Sequence, residues 1–219
     1  GFIYYPIIAK VSGAKVVTAK SEDYSISCKN ILASISKKTK IIFIANPNNP
    51  TGTIIMKNEL VSFLKKVPKN ILVVVDGAYA EFVTDLRFSD GLNLTNQFPN
   101  LIITRTFSKI YALAGLRLGW AYSSERIIET LEKIRGPFNV NIVAQTIGSL
   151  ILKEDNFLKK YIRHNMVWKK KLSAFVNSLG LETYESYANF VLIRIDKTKF
   201  KKKMLIKKLI EKDIIIRDL

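Results

Sequence analysis

Three polar clusters each follow directly on a short apolar run: Asn46-Pro47-Asn48-Asn49-Pro50-Thr51-Gly52, Asp76-Gly77-Ala78-Tyr79, and Ser108-Lys109. Together they hold an acid at a strand end, a lysine preceded by a hydroxyl, an amide in a proline-stiffened loop and a tyrosine. Arg117 follows eight residues past the lysine. A lysine amine can condense with an aldehyde, and an aspartate can hold a pyridine nitrogen protonated so that the ring draws electrons. A serine with an arginine can bind a phosphate. The inventory suits an aldehyde cofactor bearing a phosphate. Neither G-x-G-x-x-G nor G-x-x-x-x-G-K-[ST] occurs, so dinucleotide and P-loop sites are unsupported.

The elements that must position these clusters alternate between β-branched runs and helical spacing, the pattern of an α/β chain. Strands are predicted at Ala14 to Ala19, Lys40 to Ala45, Asn70 to Val75, Leu101 to Arg105 and Arg117 to Tyr122. Helices are predicted at Lys29 to Ile35 and Lys57 to Lys66. From Ser124 the spacing turns helical, with Glu125 to Ile134, a Gly136-Pro137 break, Val140 to Leu152, and about Asn156 to Asn177, ended by Gly180. A smaller α+β unit follows: strands near Leu181 to Tyr184 and Phe190 to Ile195, a helix Phe200 to Lys212, and a strand-like Ile214-Ile215-Ile216. In an open α/β sheet, ligands sit outside the carboxyl ends of the strands, so the three clusters should converge on one crevice.

With 219 residues at 48% hydrophobic composition, the chain can bury a core, which disfavours disorder. Its longest apolar runs, Ile41 to Ala45 and Ile71 to Val75, are far too short to span a membrane. A single cysteine, Cys28, and a single histidine, His164, exclude an internal disulfide and leave no partner for a cysteine- or histidine-cluster metal site. Cys28 reads as an inert buried thiol and His164 as a surface or helix-packing residue. Asn93-Leu94-Thr95 fits a glycosylation sequon by chance, with no secretory signal ahead of it. The N-terminus lacks a starting Met and a basic region, so the chain reads as beginning mid-protein, in a cytoplasmic context. Net charge is +17, yet only eight of the basic residues are arginine. The lysine clusters, Lys169-Lys170-Lys171 among them, read as solvated helix faces; a basic nucleic-acid-binding surface is the rival reading.

Asn-Pro-Asn-Asn-Pro-Thr-Gly at 46–52, Asp-x-Ala-Tyr at 76–79 and Arg-Thr-Phe-Ser-Lys-x-Tyr-Ala-Leu-Ala-Gly-Leu-Arg-Leu-Gly at 105–119 resemble the fold-type I pyridoxal-phosphate-dependent aminotransferases. Gly-Pro-Phe-Asn-Val-Asn at 136–141, Ala-Asn-Phe at 188–190 and Ile-Ile-Ile-Arg-Asp at 214–218 are most similar to the histidinol-phosphate branch of that family. The resemblance implies a mostly parallel sheet in a three-layer α/β/α large domain, residues 1–155. A connecting helix and part of a smaller α+β domain would occupy 156–219.

The resemblance also implies pyridoxal 5'-phosphate as cofactor and no metal. Lys109 would form the Schiff base and shuttle the proton, and Asp76 would pair with the pyridinium nitrogen. Asn49 and Tyr79 would hydrogen-bond the phenolic oxygen, while Ser108 and Arg117, with Thr106 nearby, would hold the phosphate. Phe2 would stack on the ring, and Arg217 would reach the substrate. The implied reaction moves an amino group between L-histidinol phosphate and 2-oxoglutarate in histidine biosynthesis, in a cytoplasmic homodimer that binds neither nucleic acid nor membrane. An aromatic aminotransferase or a decarboxylase of a phosphorylated amino acid is the alternative within the superfamily.

The sequence departs from the family at Gly77, commonly Glu. It also lacks an upstream segment with a glycine-containing turn at the phosphate, a tyrosine donated across the dimer, and a downstream arginine for the substrate carboxylate. It therefore reads as the central and partial C-terminal portion of such an enzyme, expected as it stands to bind the cofactor weakly and transaminate little.

Overall fold

A computed structural model describes residues 2–195 and 201–218. Its main sheet has four strands in the order β1 (Ile41–Ala45), β2 (Leu72–Asp76), β3 (Leu101–Thr106) and β4 (Gly119–Tyr122). The first three run parallel, and β4 returns antiparallel to β3. Near-continuous Ile, Val and Leu make β1 to β3 suitable for the interior of a parallel sheet. One face, Ile42, Ile44, Val73, Val75, Leu101 and Ile103, is buried. It is covered by α2 (Cys28–Ala33) and α3 (Lys57–Lys66). Helix α3 presents Leu60, Phe63 and Leu64 to that core, at the helical spacing that puts them on one stripe. The other face is more open, with Ile41 and Phe43 exposed. There α1 (Tyr4–Val11) lays the Tyr5 ring against Phe43, centroids 5.1 Å apart.

Beyond β4 come α4 (Glu125–Ile134), α5 (Ile142–Ile151) and the long α6 (Asp155–Ser178). Helix α5 starts where it does because the Asn141 side chain accepts the Ala144 N–H at 2.8 Å. A separate antiparallel pair, β5 (Glu182–Thr183) and β6 (Ile193–Arg194), and α7 (Lys202–Ile210) close the described chain. Phe200, where the predicted last helix begins, lies outside the described residues.

Three expectations need correction. Ala14 to Ala19 is not a strand: no described segment pairs with it, Val17 is 64% exposed, and alternation without a partner does not make a sheet. Ile214-Ile215-Ile216 is likewise irregular and exposed. Strand β4 begins at Gly119, not Arg117, because Arg117 takes a left-handed conformation (φ 57°) that breaks an extended run.

Parallel register brings the carboxyl ends of β1 to β3 to one edge. Ala45 lies opposite Asp76 and Asp76 opposite Thr104. The ladder extends one residue past the strands, through Asn46 N–H to Asp76 O at 2.9 Å and Gly77 N–H to Thr104 O at 2.9 Å. That edge carries the candidate site.

Candidate active site

The Asn46–Gly52 loop sorts its three asparagines by role. Asn46 is buried and pairs with the Ile55 backbone, its Oδ1 accepting Ile55 N–H at 2.9 Å. Asn48 is also buried and donates to Thr51 Oγ1 at 2.7 Å, while its carbonyl accepts Gly52 N–H at 2.7 Å. These contacts fix the loop and leave Asn49 to reach outward, where Nδ2 donates to the Tyr79 hydroxyl at 3.4 Å.

Asp76 ends β2, and both of its oxygens are engaged. Oδ1 accepts Ala78 N–H at 3.0 Å, and Oδ2 accepts the Tyr5 hydroxyl at 2.6 Å. A carboxylate has about four lone-pair positions, so these two bonds orient Asp76 while leaving it room for a third donor. Burial, and then the adjacent Asp76 carboxylate, push the Tyr5 phenol well above its ordinary range. Because the folded value is raised, the stabilisation is whole below about pH 10, where the unfolded chain also keeps its proton, and is lost as pH climbs above that. Tyr5→Phe is expected to cost about 1–2 kcal/mol at neutral pH and to flatten the alkaline fall in stability. Denaturant melts at pH 7 and from pH 9 to 11 check both; an unchanged alkaline slope would contradict the assignment.

Lys109 lies just past β3 in a loop whose turns are closed by Ala112 N–H to Lys109 O and Leu113 N–H to Phe107 O, each 3.0 Å. Its exposed ammonium stands 5.3 Å from the centroid of the buried Tyr79 ring and forms no ion pair among the described residues. Thr106 Oγ1 accepts Ser108 N–H at 3.0 Å, which turns the chain at the end of the strand. Arg117 is exposed and donates Nη1 to Ala114 O at 2.7 Å, with no carboxylate partner among the described residues.

The structure thus brings Asn49, Tyr79 and Lys109 around one ring and Asp76 to the same sheet edge. Thr106 ends β3, and Ser108 and Arg117 lie in the loop that carries the lysine. Phe2 is 38% exposed and meets Tyr5 edge-on at 5.7 Å, one helical turn before it. Arg217 is exposed beyond α7 and makes no hydrogen bond or ion pair with the site among the described residues.

Two residues packed at this edge have no role in the sequence reading. Tyr5 carried a faint signal, a tyrosine three residues after Phe2 with Pro6 in the first turn of a helix, where proline is tolerated. Arg105 ends a predicted strand and opens the 105–119 motif, with no role assigned to it. Its buried guanidinium donates to Gly77 O at 2.9 Å and pairs with Asp90 at 3.2 Å and Glu81 at 3.8 Å. Burial raises the Glu81 carboxyl, and Arg105 opposes the shift. A Cβ at position 77 would crowd the end of the Arg105 side chain, lying 2.9 Å from Cζ.

An open sheet carries an amine, a carboxylate, a phenol and an amide at the carboxyl ends of its strands, and solved aminotransferases share this fold. Histidinol-phosphate aminotransferase from Sinorhizobium meliloti, solved in complex with pyridoxal-5'-phosphate, matches with a TM-score of 0.93 at 25% identity, over 99% of this chain and 59% of that one. The histidinol-phosphate aminotransferase from Clostridium acetobutylicum matches with a TM-score of 0.91 at 27% identity, over 99% and 65%. The chain belongs to the class I and II aminotransferases, whose family model matches residues 1–219.

Among curated relatives, histidinol-phosphate aminotransferase of Pelagibacter ubique is 41% identical over 216 residues, 99% of this chain and 60% of that protein. That of Caldicellulosiruptor saccharolyticus is 41% identical over 219 residues, with the same coverage. The chain therefore spans less than two thirds of the length of these relatives. No helix among the described residues is long and apolar enough to cross a membrane.

Proposed function

We propose that the chain forms the cofactor-binding part of a histidinol-phosphate aminotransferase, which moves an amino group between L-histidinol phosphate and 2-oxoglutarate with pyridoxal 5'-phosphate. The observation that carries this reading is Lys109, unpaired among the described residues, beside the Tyr79 ring that Asn49 also meets, on the same sheet edge as a doubly anchored Asp76. The donor set fits the cofactor. It has an amine for an aldehyde, a carboxylate with spare lone pairs for a pyridine nitrogen, an amide and a phenol for a phenolic oxygen, and a guanidinium without a carboxylate for a phosphate.

When bound, the cofactor supplies an electron-accepting ring that stabilises charge developing at the substrate α-carbon. Asp76 keeps the proton on the ring nitrogen, and its two anchors prevent it from turning away. Asn49 and Tyr79 hydrogen-bond the phenolic oxygen. Ser108, Thr106 and Arg117 hold the phosphate, and Phe2 covers the ring. Lys109 is the amine that would hold the aldehyde, and the same amine is placed to take a proton from the substrate α-carbon and return it. Arg217 reaches the substrate phosphate. The two substrates react in turn, giving ping-pong kinetics. Residues 1–155 form the large unit and 156–219 the connecting helix and part of the small unit of a cytoplasmic homodimer.

The test compares L-histidinol phosphate with L-histidinol as amino donor to 2-oxoglutarate in the whole protein that carries these residues. A site built to bind the phosphate should favour the phosphorylated donor by about 10³-fold or more in kcat/KM, since the analogue leaves polar groups unpaired. Preference for phenylalanine or tyrosine, or carbon dioxide release from a phosphorylated amino acid, would replace this reading with an aromatic aminotransferase or a decarboxylase.

A further inference from the structure

The lysines of α6 do not all point to solvent. Lys171 stays exposed, with its Nζ 4.7 Å from the centroid of the Trp168 ring. Lys169 instead turns inward and is half-buried, so the reading of Lys169-Lys170-Lys171 as a solvated face fails at its first member. Its Nζ donates to the carbonyl of Ser186 and, at 3.1 Å, to that of Ala188. Asn165, one turn earlier, donates Nδ2 to the same Ala188 carbonyl at 3.2 Å. Burial lowers the Lys169 pKa, with Glu185 opposing, so the fold holds a charge there at a desolvation cost. An ammonium offers three donors and no acceptor, which suits two neighbouring carbonyls that no sheet ladder satisfies.

The segment so held is gripped from its other side by the Asn46–Gly52 loop. Tyr187 N–H donates to Gly52 O at 2.7 Å. Gly52 has φ +76°, and a Cβ there would stand 2.6 Å from Ser186 Cβ and 2.9 Å from its Cα, so only glycine allows the approach. Ala188 is fully buried in a cluster with Tyr79, Phe82, Phe107, Ile110 and Tyr111. Two residues on, Phe190 meets the Tyr79 ring edge-on with centroids 5.2 Å apart. Lys169 is therefore linked to Tyr79 both through Ala188 and Phe190 and through the loop that carries Asn49.

We propose that Lys169 is a positioning residue: its ammonium clamps residues 186–190 between α6 and the Gly52 loop and so sets Phe190 against Tyr79 as a wall of the amino-donor site. The clamp is a property of the fold; its effect on the donor rests on the proposed function. Loss of the clamp should loosen donor binding and leave the cofactor contacts of Asp76 and Lys109 in place.

The test uses the whole protein carrying these residues, with Lys169→Met, Lys169→Arg and Lys169→Gln. Backbone hydrogen exchange at Tyr187 and Ala188, followed without substrate, should quicken at least tenfold in Lys169→Met and stay within threefold of the parent in Lys169→Arg. In Lys169→Met, KM for the amino donor should rise at least tenfold, with kcat and cofactor affinity within threefold. Unchanged exchange in Lys169→Met, or a fall in kcat with KM unmoved, would overturn the proposal. If Lys169→Met does not fold, Lys169→Gln, which is shorter and uncharged, decides: quicker exchange at Tyr187 and Ala188 supports the clamp, and parental exchange overturns it. Quickened exchange in a protein that does not transaminate histidinol phosphate would uphold the clamp and discard the substrate assignment.

Discussion

Lys109→Ala is expected to reduce transamination by about 10⁴-fold or more. Proton transfer by a positioned side chain alone accounts for roughly 10²–10⁴-fold, and the variant also loses the covalent anchor of the aldehyde. The structure isolates this effect well. Lys109 is exposed, and its ammonium lies over the Tyr79 ring without an ion pair among the described residues, so its removal leaves the core intact. Stability of the variant should stay within about 0.5 kcal/mol of the parent, as for other surface substitutions. The decisive readout needs no turnover. Borohydride reduction with added pyridoxal phosphate should fix the cofactor's mass on the peptide containing Lys109 in the parent and nowhere in the variant. A labelled variant would show that another lysine does the work and that the strand-end reading is wrong.

Asp76→Asn is expected to lower kcat by about 10³-fold, roughly 4 kcal/mol of transition-state stabilisation. An amide is nearly isosteric but carries no charge to hold a proton on a ring nitrogen. Its oxygen can still accept Ala78 N–H, and its nitrogen can donate to the Tyr5 hydroxyl, so both anchors can persist in altered form. Folding should therefore survive, and cofactor capture at Lys109 should remain measurable by reduction while turnover collapses. Equal loss of stability and activity would instead mark Asp76 as structural, a strand-end turn residue.

The sequence made the central strands and the helices with strong stripes legible. Helical spacing over Lys57 to Lys66 and over Glu125 to Ile134 matches α3 and α4. In α3, local pattern and burial agree. The strand-end clusters were legible as well, because a polar run after Ile-Ile-Phe-Ile-Ala or Leu-Val-Val-Val has no place inside a parallel sheet. What was hidden depends on partners distant in the chain. Ala14 to Ala19 has a strand's composition and no strand beside it among the described residues. Lys169 differs from Lys170 by one position on a helix, about 100° of rotation, and only the placement of residues 186–188 makes that rotation matter. Tyr5 and Asp76 lie 71 residues apart, beyond any local pattern. Gly77 departs from the family, and its closeness to Arg105 of the neighbouring strand shows only once β2 and β3 are paired.

The antiparallel return of β4 has a mechanical consequence. Thr106 and Gly119 are register partners, and Phe107 N–H donates to Leu118 O at 3.1 Å, so the chain from 107 to 118 is a loop sealed at its base. Gly119 permits the seal, because a Cβ there would come within 2.8 Å of the Arg105 carbonyl. Lys109 sits near one foot of this loop and Arg117 near the other. Their separation is therefore a dimension of one closed ring of backbone, insulated from sliding between β1, β2 and β3. A ligand held at a reactive aldehyde by one residue and at a phosphate by the other would be gauged by a single rigid span. Insertions or deletions in that ring should change which ligand length is accepted before they unfold anything.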